Sequence, residues 1–457
     1  MKLNRTGSIW DRNERININD NWDIIEDLVL TKGESLFNSE SFNAWLEQNK
    51  FKNKDAVDKI TDLPTNAEVN EIRGVLSESA VYIYNGDEWI KQNDLNYNEL
   101  NVFKNEFRQD NSVSVYVPQD YPDIQTAIDI LSRKVYKANV TVNIILQSGY
   151  IIKKGVSVKN GDYSHFIVTS VDPVVLADIT THLFYGLSAN MPELSCLIDM
   201  QGNGRTGYYA ENSRGKVSAN CGVINAGESG ISANSASQVM AQSSIFTGAS
   251  AKAPQHTGIT ARRGSTVNAD YADVSGSNYY GISAASGALV SAVGAKADNC
   301  LIYGFRARDG AMMSCAESTA KNCGDTGYYA LWSGIMDARA TDASGSKTGY
   351  YSAEGGNINA RGAIARDCVS YGVYASHGSV INANACNIAN AGNQGVRSES
   401  SSNVNVRGGS ITGSVNTDLA VLVGSFITAS EATFNTANVT NFNSIIESRG
   451  VIWNNAR

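Results

Sequence analysis

Asp309, Trp332 and Glu354 occupy the same place in three successive units of a repeat, five residues after a recurring glycine. If each unit is one coil of stacked strands, two coil steps separate the carboxylates and their backbones lie roughly 9–10 Å apart. Hydrolysis of a glycosidic bond uses paired carboxyl groups about 5–5.5 Å apart for retention and about 6.5–9.5 Å apart for inversion. The spacing therefore suits an inverting acid and base, with Trp332 as a stacking floor between them. The whole column reads Arg263, Ser286, Asp309, Trp332, Glu354, His377, Ser400. Asp337 is a competing acid. It stands ten residues after its glycine, within a run of Ser291, Ser314, Asn359, Asn382 and Asn405, and Arg339 and Arg361 follow two residues on in adjacent units. Each carboxylate taken singly reads as a solvated turn residue; their convergence on the units from Gly304 to Gly372 gives the region its interest.

A second column lies two residues after each glycine: Thr260, Ser283, Arg306, Tyr329, Tyr351, Tyr374, Arg397. Aromatic rings can stack on the apolar faces of sugars, and arginines reach carboxylates or phosphates. The tyrosine stripe has three readings: a sugar platform, a surface against a neighbouring subunit, or a ladder that stabilises its own sheet. Lyase chemistry would instead need a base and a group that neutralises a sugar carboxylate, for which His377, Arg308 and Arg306 are candidates. Arg262 and Arg263, beside His256 in a longer unit, form a second basic spot. No Cys-x-x-Cys or Cys/His pattern occurs, so neither a metal nor a cofactor is expected.

The element that must hold these columns is the repeat itself. Gly, an apolar residue, any residue, then Ala or Ser recurs at Gly207, Gly230, Gly258, Gly281, Gly304, Gly327, Gly349, Gly372 and Gly395, and the spacings by subtraction are 23, 28, 23, 23, 23, 22, 23 and 23. A second motif usually follows nine residues later, as in Val267-Asn268-Ala269 and Ile381-Asn382-Ala383. Both motifs alternate inward and outward with period two, which is the strand period. A fixed period of this length, rich in Gly, Ser, Asn and Ala and poor in Leu, specifies a β-solenoid of one coil per repeat. The expected fold is all-β: a single-stranded parallel β-helix over 113–413. Ala261, Ala284, Ala307 and Ala330 would line its narrow interior.

Composition narrows the function classes. The net charge of −8 and pI near 5.2 argue against general nucleic-acid binding. Cys300, Cys323 and Cys368 each lie nineteen residues after their glycine, as small buried hydrophobes would. Neither an apolar leader at the N-terminus nor a membrane-length apolar stretch is seen, so folding in a cytosol is expected.

Outside the repeat, residues 1–60 read as a helical region, with helices near 22–30 and 41–48. Residues 61–95 read as a small β module, with a Val81–Tyr84/Glu88–Ile90 hairpin turned by Asn85-Gly86. Residues 96–112 form a connecting helix. Tyr121 to Leu131 reads as a helix with Pro122 in its first turn, placed to cover the open end of the solenoid. Residues 414–457 are a β cap or oligomer-forming tail. The extra residues between Ser250 and Thr257 are an extruded loop.

Tyr121-Pro-x-Ile-Gln-x-Ala-Ile-Asp129 leading into glycine-rich coils resembles the pectin-lyase-like right-handed β-helix of bacteriophage tail spikes. The opening Asn4 to Trp22 is similar to the start of tail-fibre and baseplate proteins of phages that infect Gram-positive hosts, and Tyr84-Asn-Gly-Asp-Glu-Trp89 to small modules of phage structural proteins. The resemblance implies a homotrimer in the virion tail, assembled in the host cytoplasm and attached to tail or baseplate proteins through its N-terminal region. It further implies binding or cleavage of a host surface polysaccharide, whether capsule, exopolysaccharide or teichoic acid. None of the shared motifs is catalytic, so no site residue transfers. Three classes stay open: a depolymerase (hydrolase, lyase or phosphodiesterase), a receptor-binding spike that does not cut, and a purely structural virion component.

Overall fold

The computed structural model describes residues 52–53, 57–67, 71–75, 80–84, 86–92, 108–109, 111–248, 256–436, 438–442, 445–448 and 451–454. The chain forms two compact units, Met1–Asp110 with Lys134–Lys137, and Asn111–Arg133 with Ala138–Arg457. In the first unit, strands Lys52–Asn53, Glu71–Val75, Ala80–Tyr84 and Trp89–Gln92 form one sheet. Val75 and Tyr82 are its buried core, and Trp89 Nε1 donates to Pro64 O at 2.9 Å. The expected hairpin is present, but Tyr84 pairs with Trp89. Its loop is therefore wider than the two-residue Asn-Gly turn. The expected helices near 22–30, 41–48 and 96–107 lie outside the described residues; Arg108–Gln109, within the expected connecting helix, is a strand paired with Val135–Tyr136.

The second unit is the parallel solenoid. A sheet of 13 strands runs from Val156–Lys159 to Val439–Phe442, and a sheet of 12 strands lies around the corner of each coil. We call these the tyrosine face and the asparagine face. A third, thin face is a line of single bridges over much of its length, such as Lys296 to Thr319 to Asp342 to Ile364. The repeat glycine sits where the chain turns from the thin face into the tyrosine face. A Cβ on Gly304 would stand 2.5 Å from Ala320 Cβ and 2.8 Å from Gly327 O, so no side chain fits at this corner. That steric demand is why glycine marks the period.

The residues one and three after the glycine fill the interior. Phe305, Tyr328, Tyr350, Ala307 and Ala330 are fully buried. The large rings stack coil on coil, Phe305 to Tyr328 at 5.1 Å and Tyr328 to Tyr350 at 5.0 Å. The buried hydroxyls are satisfied, Tyr328 donating to Ser318 O at 2.9 Å and Tyr350 to Thr341 O at 3.0 Å. All seven cysteines are free, and Cys300, Cys323 and Cys368 are buried as their column placement requires. Asparagine side chains form amide ladders from coil to coil, with Asn322 Nδ2 donating to Asn299 Oδ1 and Asn382 Nδ2 to Asn359 Oδ1, both at 3.4 Å.

The solenoid ends are closed differently from expectation. Helix α1 (Ile124–Leu131) buries Ile124, Ala127, Ile128 and Leu131. Its N-cap is Asp123, whose Oδ1 accepts from Thr126 N at 2.7 Å. Pro122 therefore precedes the cap and is not in the first turn. Gln125 Oε1 accepts the Ser157 backbone N–H at 2.5 Å, satisfying a donor on the first strand of the tyrosine face. At the other end the coils do not stop at 413. Thr417–Leu422 and Val439–Phe442 continue the tyrosine face, Phe426–Thr428 and Ile445–Ser448 continue the asparagine face, and antiparallel Val451–Asn454 completes it. The first of these coils keeps the 23-residue spacing, Gln394 pairing with Thr417, and the next shortens, Leu419 pairing with Val439, so the glycine motif is lost while the pairing persists.

Candidate functional site

The turn between the tyrosine and asparagine faces carries the predicted acid column. Asp309, Trp332, Glu354 and His377 all adopt left-handed backbone, with φ of 54°, 47°, 50° and 54°. Each following N–H donates to the next coil: Gly310 to Trp332 O at 3.2 Å, Ser333 to Glu354 O at 3.2 Å, Gly355 to His377 O at 3.0 Å. The backbone thus locks the column in register whatever its side chains are. Those side chains form a ridge in water. Trp332 is 50% exposed, and the Glu354 and His377 side chains are 51% and 56% exposed. Asp309 Oδ2 lies 3.5 Å from Arg308 Nε, and Glu354 Oε1 lies 3.8 Å from His377 Nδ1. The Arg308 guanidinium sits 5.7 Å from the Trp332 ring centre. The four residues stand in register along the turn, each acid beside a basic group.

Asp337 belongs elsewhere. It projects from the asparagine face, in register with Ser314 and Asn359. Arg339 holds it in a fork, Nε to Oδ1 at 2.9 Å and Nη2 to Oδ2 at 2.8 Å, and Asn359 Nδ2 adds a bond at 3.3 Å. Arg339 and Asn359 thus occupy much of its acceptor capacity, on the face next to the ridge. Arg361 is exposed on this same side of the solenoid.

On the tyrosine face the expected column is in register: Ser283, Arg306, Tyr329, Tyr351, Tyr374 and Arg397 pair in succession. The rings are not a flat platform, however. Tyr329 stacks on Tyr351 at 5.0 Å and Tyr351 on Tyr374 at 4.6 Å, each with planes 7° apart. Side chains one coil apart meet face to face, so the rings offer solvent their edges and hydroxyls. The face-on sugar platform is corrected to the sheet-stabilising ladder, which leaves a strip of phenol groups. Burial raises the Tyr329 phenol pKa; burial and then the Glu399 hydrogen bond raise that of Tyr374. Both are neutral hydroxyls at physiological pH, able to donate and to accept.

Ring contacts extend the strip to residues the column reading missed. Tyr280 and Tyr303 stand one residue before their glycines and stack at 5.1 Å; Tyr371, in the same position, lies 5.0 Å from Tyr374. Glu399 accepts from Tyr374 Oη and from Arg397 Nε, the latter at 3.0 Å. The period-two count from each glycine identifies Glu399, four after, but not the tyrosines one before, which are three residues from the outward column and lie across the corner made at the glycine. His256 leaves the basic spot: it is fully buried with neither ring nitrogen hydrogen-bonded, and burial lowers its pKa to about 4. Arg262 and Arg263 are exposed. The extruded loop beside them lies outside the described residues.

Fold and columns together define a parallel β-solenoid with one long face of ordered polar side chains. No family model matches the chain, and no curated protein does. Among solved structures it is similar to a periplasmic alginate epimerase at 7% identity and a TM-score of 0.36, over 77% of this chain and 88% of that one. It is also similar to the catalytic domain of a GH87 α-1,3-glucanase in complex with nigerose at 12% identity and a TM-score of 0.43, over 73% and 67%. A protein of Geobacillus virus E2 aligns at 12% identity and a TM-score of 0.31, over 87% and 75%. Likenesses of this degree transfer no residue and no activity.

Proposed function

We propose that this chain is a spike of the phage-tail kind whose solenoid recognises a host surface polysaccharide. The observation that carries this reading is the paired columns: phenol hydroxyls between Arg306 and Arg397, bordered by the Asp309–Trp332–Glu354–His377 ridge. This surface repeats once per coil, roughly every 4.8 Å, and a repeating linear surface suits a chain polymer better than a compact ligand. Its hydroxyls, guanidinium groups and carboxylates match a polyhydroxylated partner, and Trp332 offers apolar surface for a sugar ring. Capsule, exopolysaccharide and teichoic acid all have such chemistry. A homotrimer in the virion tail, attached through residues 1–60 to tail or baseplate proteins, completes the proposal.

A hydrolytic reading has its own support. Asp309 and Glu354 are two coils apart with Trp332 between, close to the roughly 6.5–9.5 Å that an inverting pair uses once side chains are allowed for. The test is incubation of the full chain with surface polymers of candidate hosts. Retention of the polymer without new reducing ends supports recognition alone, reducing ends support hydrolysis, and unsaturated sugar ends point to a lyase. Failure to retain polymer from any host it adsorbs to would overturn the reading.

A further inference from the structure

The two arginine ends of the tyrosine strip are built on the same plan with opposite outcomes. At the Gly395 coil the residue two after the glycine is Arg397, and the residue four after is Glu399, which neutralises it at 3.0 Å. At the Gly304 coil the same two positions are Arg306 and Arg308. Both project outward from the strand Tyr303–Arg308, two residues and so roughly 6.5–7 Å apart. The neighbouring coils bring no carboxylate to them: Ser283 and Tyr329 stand beside Arg306, and Leu331 beside Arg308. The Arg306 guanidinium lies 4.5 Å from the Tyr280 ring centre, and the Nε atoms of Arg306 and Arg308 are both buried without a hydrogen-bond partner. Asp309 Oδ2 lies 3.5 Å from Arg308 Nε without making that bond. Buried donors of a charged group are costly to leave unmet. Desolvation correspondingly lowers the Arg306 pKa, with Arg308 adding repulsion.

We propose that Arg306 and Arg308 form an anion subsite that takes the carboxylate of a uronic acid unit or the phosphate of a phosphodiester-linked unit, so that the recognised polysaccharide is acidic. This rests on the glycan reading and names its substrate class. A planar fork matches either oxyanion. The chain as a whole carries a net charge of −8, so general attraction for polyanions does not supply the binding.

The test measures binding of the full chain to polygalacturonate, poly(glycerol phosphate) and neutral dextran, at low and high salt. Wild-type protein is expected to bind one of the acidic polymers more tightly than dextran; which one assigns carboxylate or phosphate. Arg306→Gln and Arg308→Gln should each weaken that binding roughly tenfold or more. Arg306→Lys should keep part of it, since it retains the charge without the fork. Arg205→Gln, which removes an exposed cation paired with Glu228, should leave it unchanged. If Arg306→Gln fails to fold by circular dichroism, Arg308→Gln carries the test. Gln variants that bind as wild type does, or acidic polymers held no better than dextran, overturn the inference while dextran binding keeps the glycan reading. Retention of none of the three polymers overturns the inference, and the glycan reading is then decided by the host polymers.

Discussion

Tyr351 sits at the middle of the outer ring ladder, and its replacement separates a stacking role from a ligand-facing one. Tyr351→Ala removes two face-to-face contacts, at 5.0 Å to Tyr329 and 4.6 Å to Tyr374. Each such pair is worth about 0.5–1.5 kcal/mol beyond area burial, so about 1–3 kcal/mol of stability should be lost. Tyr351→Phe keeps both stacks and loses only the hydrogen bond shared with Ser376 Oγ at 3.2 Å. It should cost about 0.5–1.5 kcal/mol at most. Equilibrium unfolding in guanidinium chloride, followed by far-ultraviolet circular dichroism, reads both. If Tyr351→Ala is as stable as wild type yet loses polymer binding, the ring presents its face to the ligand and the stacking account is wrong.

Tyr350→Ala, in the interior stack, should cost about 3–5 kcal/mol by cavity formation, more than the outer exchange, in the same unfolding assay. Asp309→Asn and Glu354→Gln should each lower turnover by roughly 10²–10⁴ with binding nearly unchanged if the ridge hydrolyses polymer; Asp337→Asn, already clasped by Arg339, should do neither. His256 is buried and neutral in the fold, with its pKa lowered from 6.5 to about 4. The unfolded chain binds that proton first, so stability should be full above pH 6.5 and fall as pH drops from 6.5 towards 4. His256→Phe should flatten that stretch of the stability curve. Desolvation works against the Glu399 carboxylate, but hydrogen bonds from Tyr374 and Arg397 more than offset it and lower the pKa below 4.5. Its contribution should be present above pH 4.5 and be lost as pH falls through the lowered pKa, a loss absent in Glu399→Gln.

Much of the solenoid was legible because one steric rule recurs in the nine coils from Gly207 to Gly395. Only glycine clears the corner at Gly304 and its equivalents, so the period, the strands and the columns follow from counting. Register within the turn column was legible for the same reason, since backbone hydrogen bonds set it. What counting did not reveal was how side chains use the space. The Tyr329, Tyr351 and Tyr374 rings turn their faces to one another because identical residues one coil apart stack, and no spacing states that preference. His256 follows an insertion that interrupts the period, so its burial had no column to predict it. The solenoid's length past 413 was missed because strands such as Val439–Phe442 keep pairing after the glycine motif has gone. The Arg306–Arg308 contrast with Arg397–Glu399 was in the sequence throughout, visible once the fourth position after each glycine is read beside the second.

The central claim is that a polysaccharide lies along the tyrosine face and its bordering ridge. A structure of the full chain with an oligosaccharide from the surface polymer of a susceptible host tests it most directly. The account predicts sugar density along the coils from Gly304 to Arg397, with an acidic substituent at Arg306 and Arg308 and a ring against Trp332. Sugar bound on the asparagine face around Asp337, with the tyrosine strip bare, would contradict it.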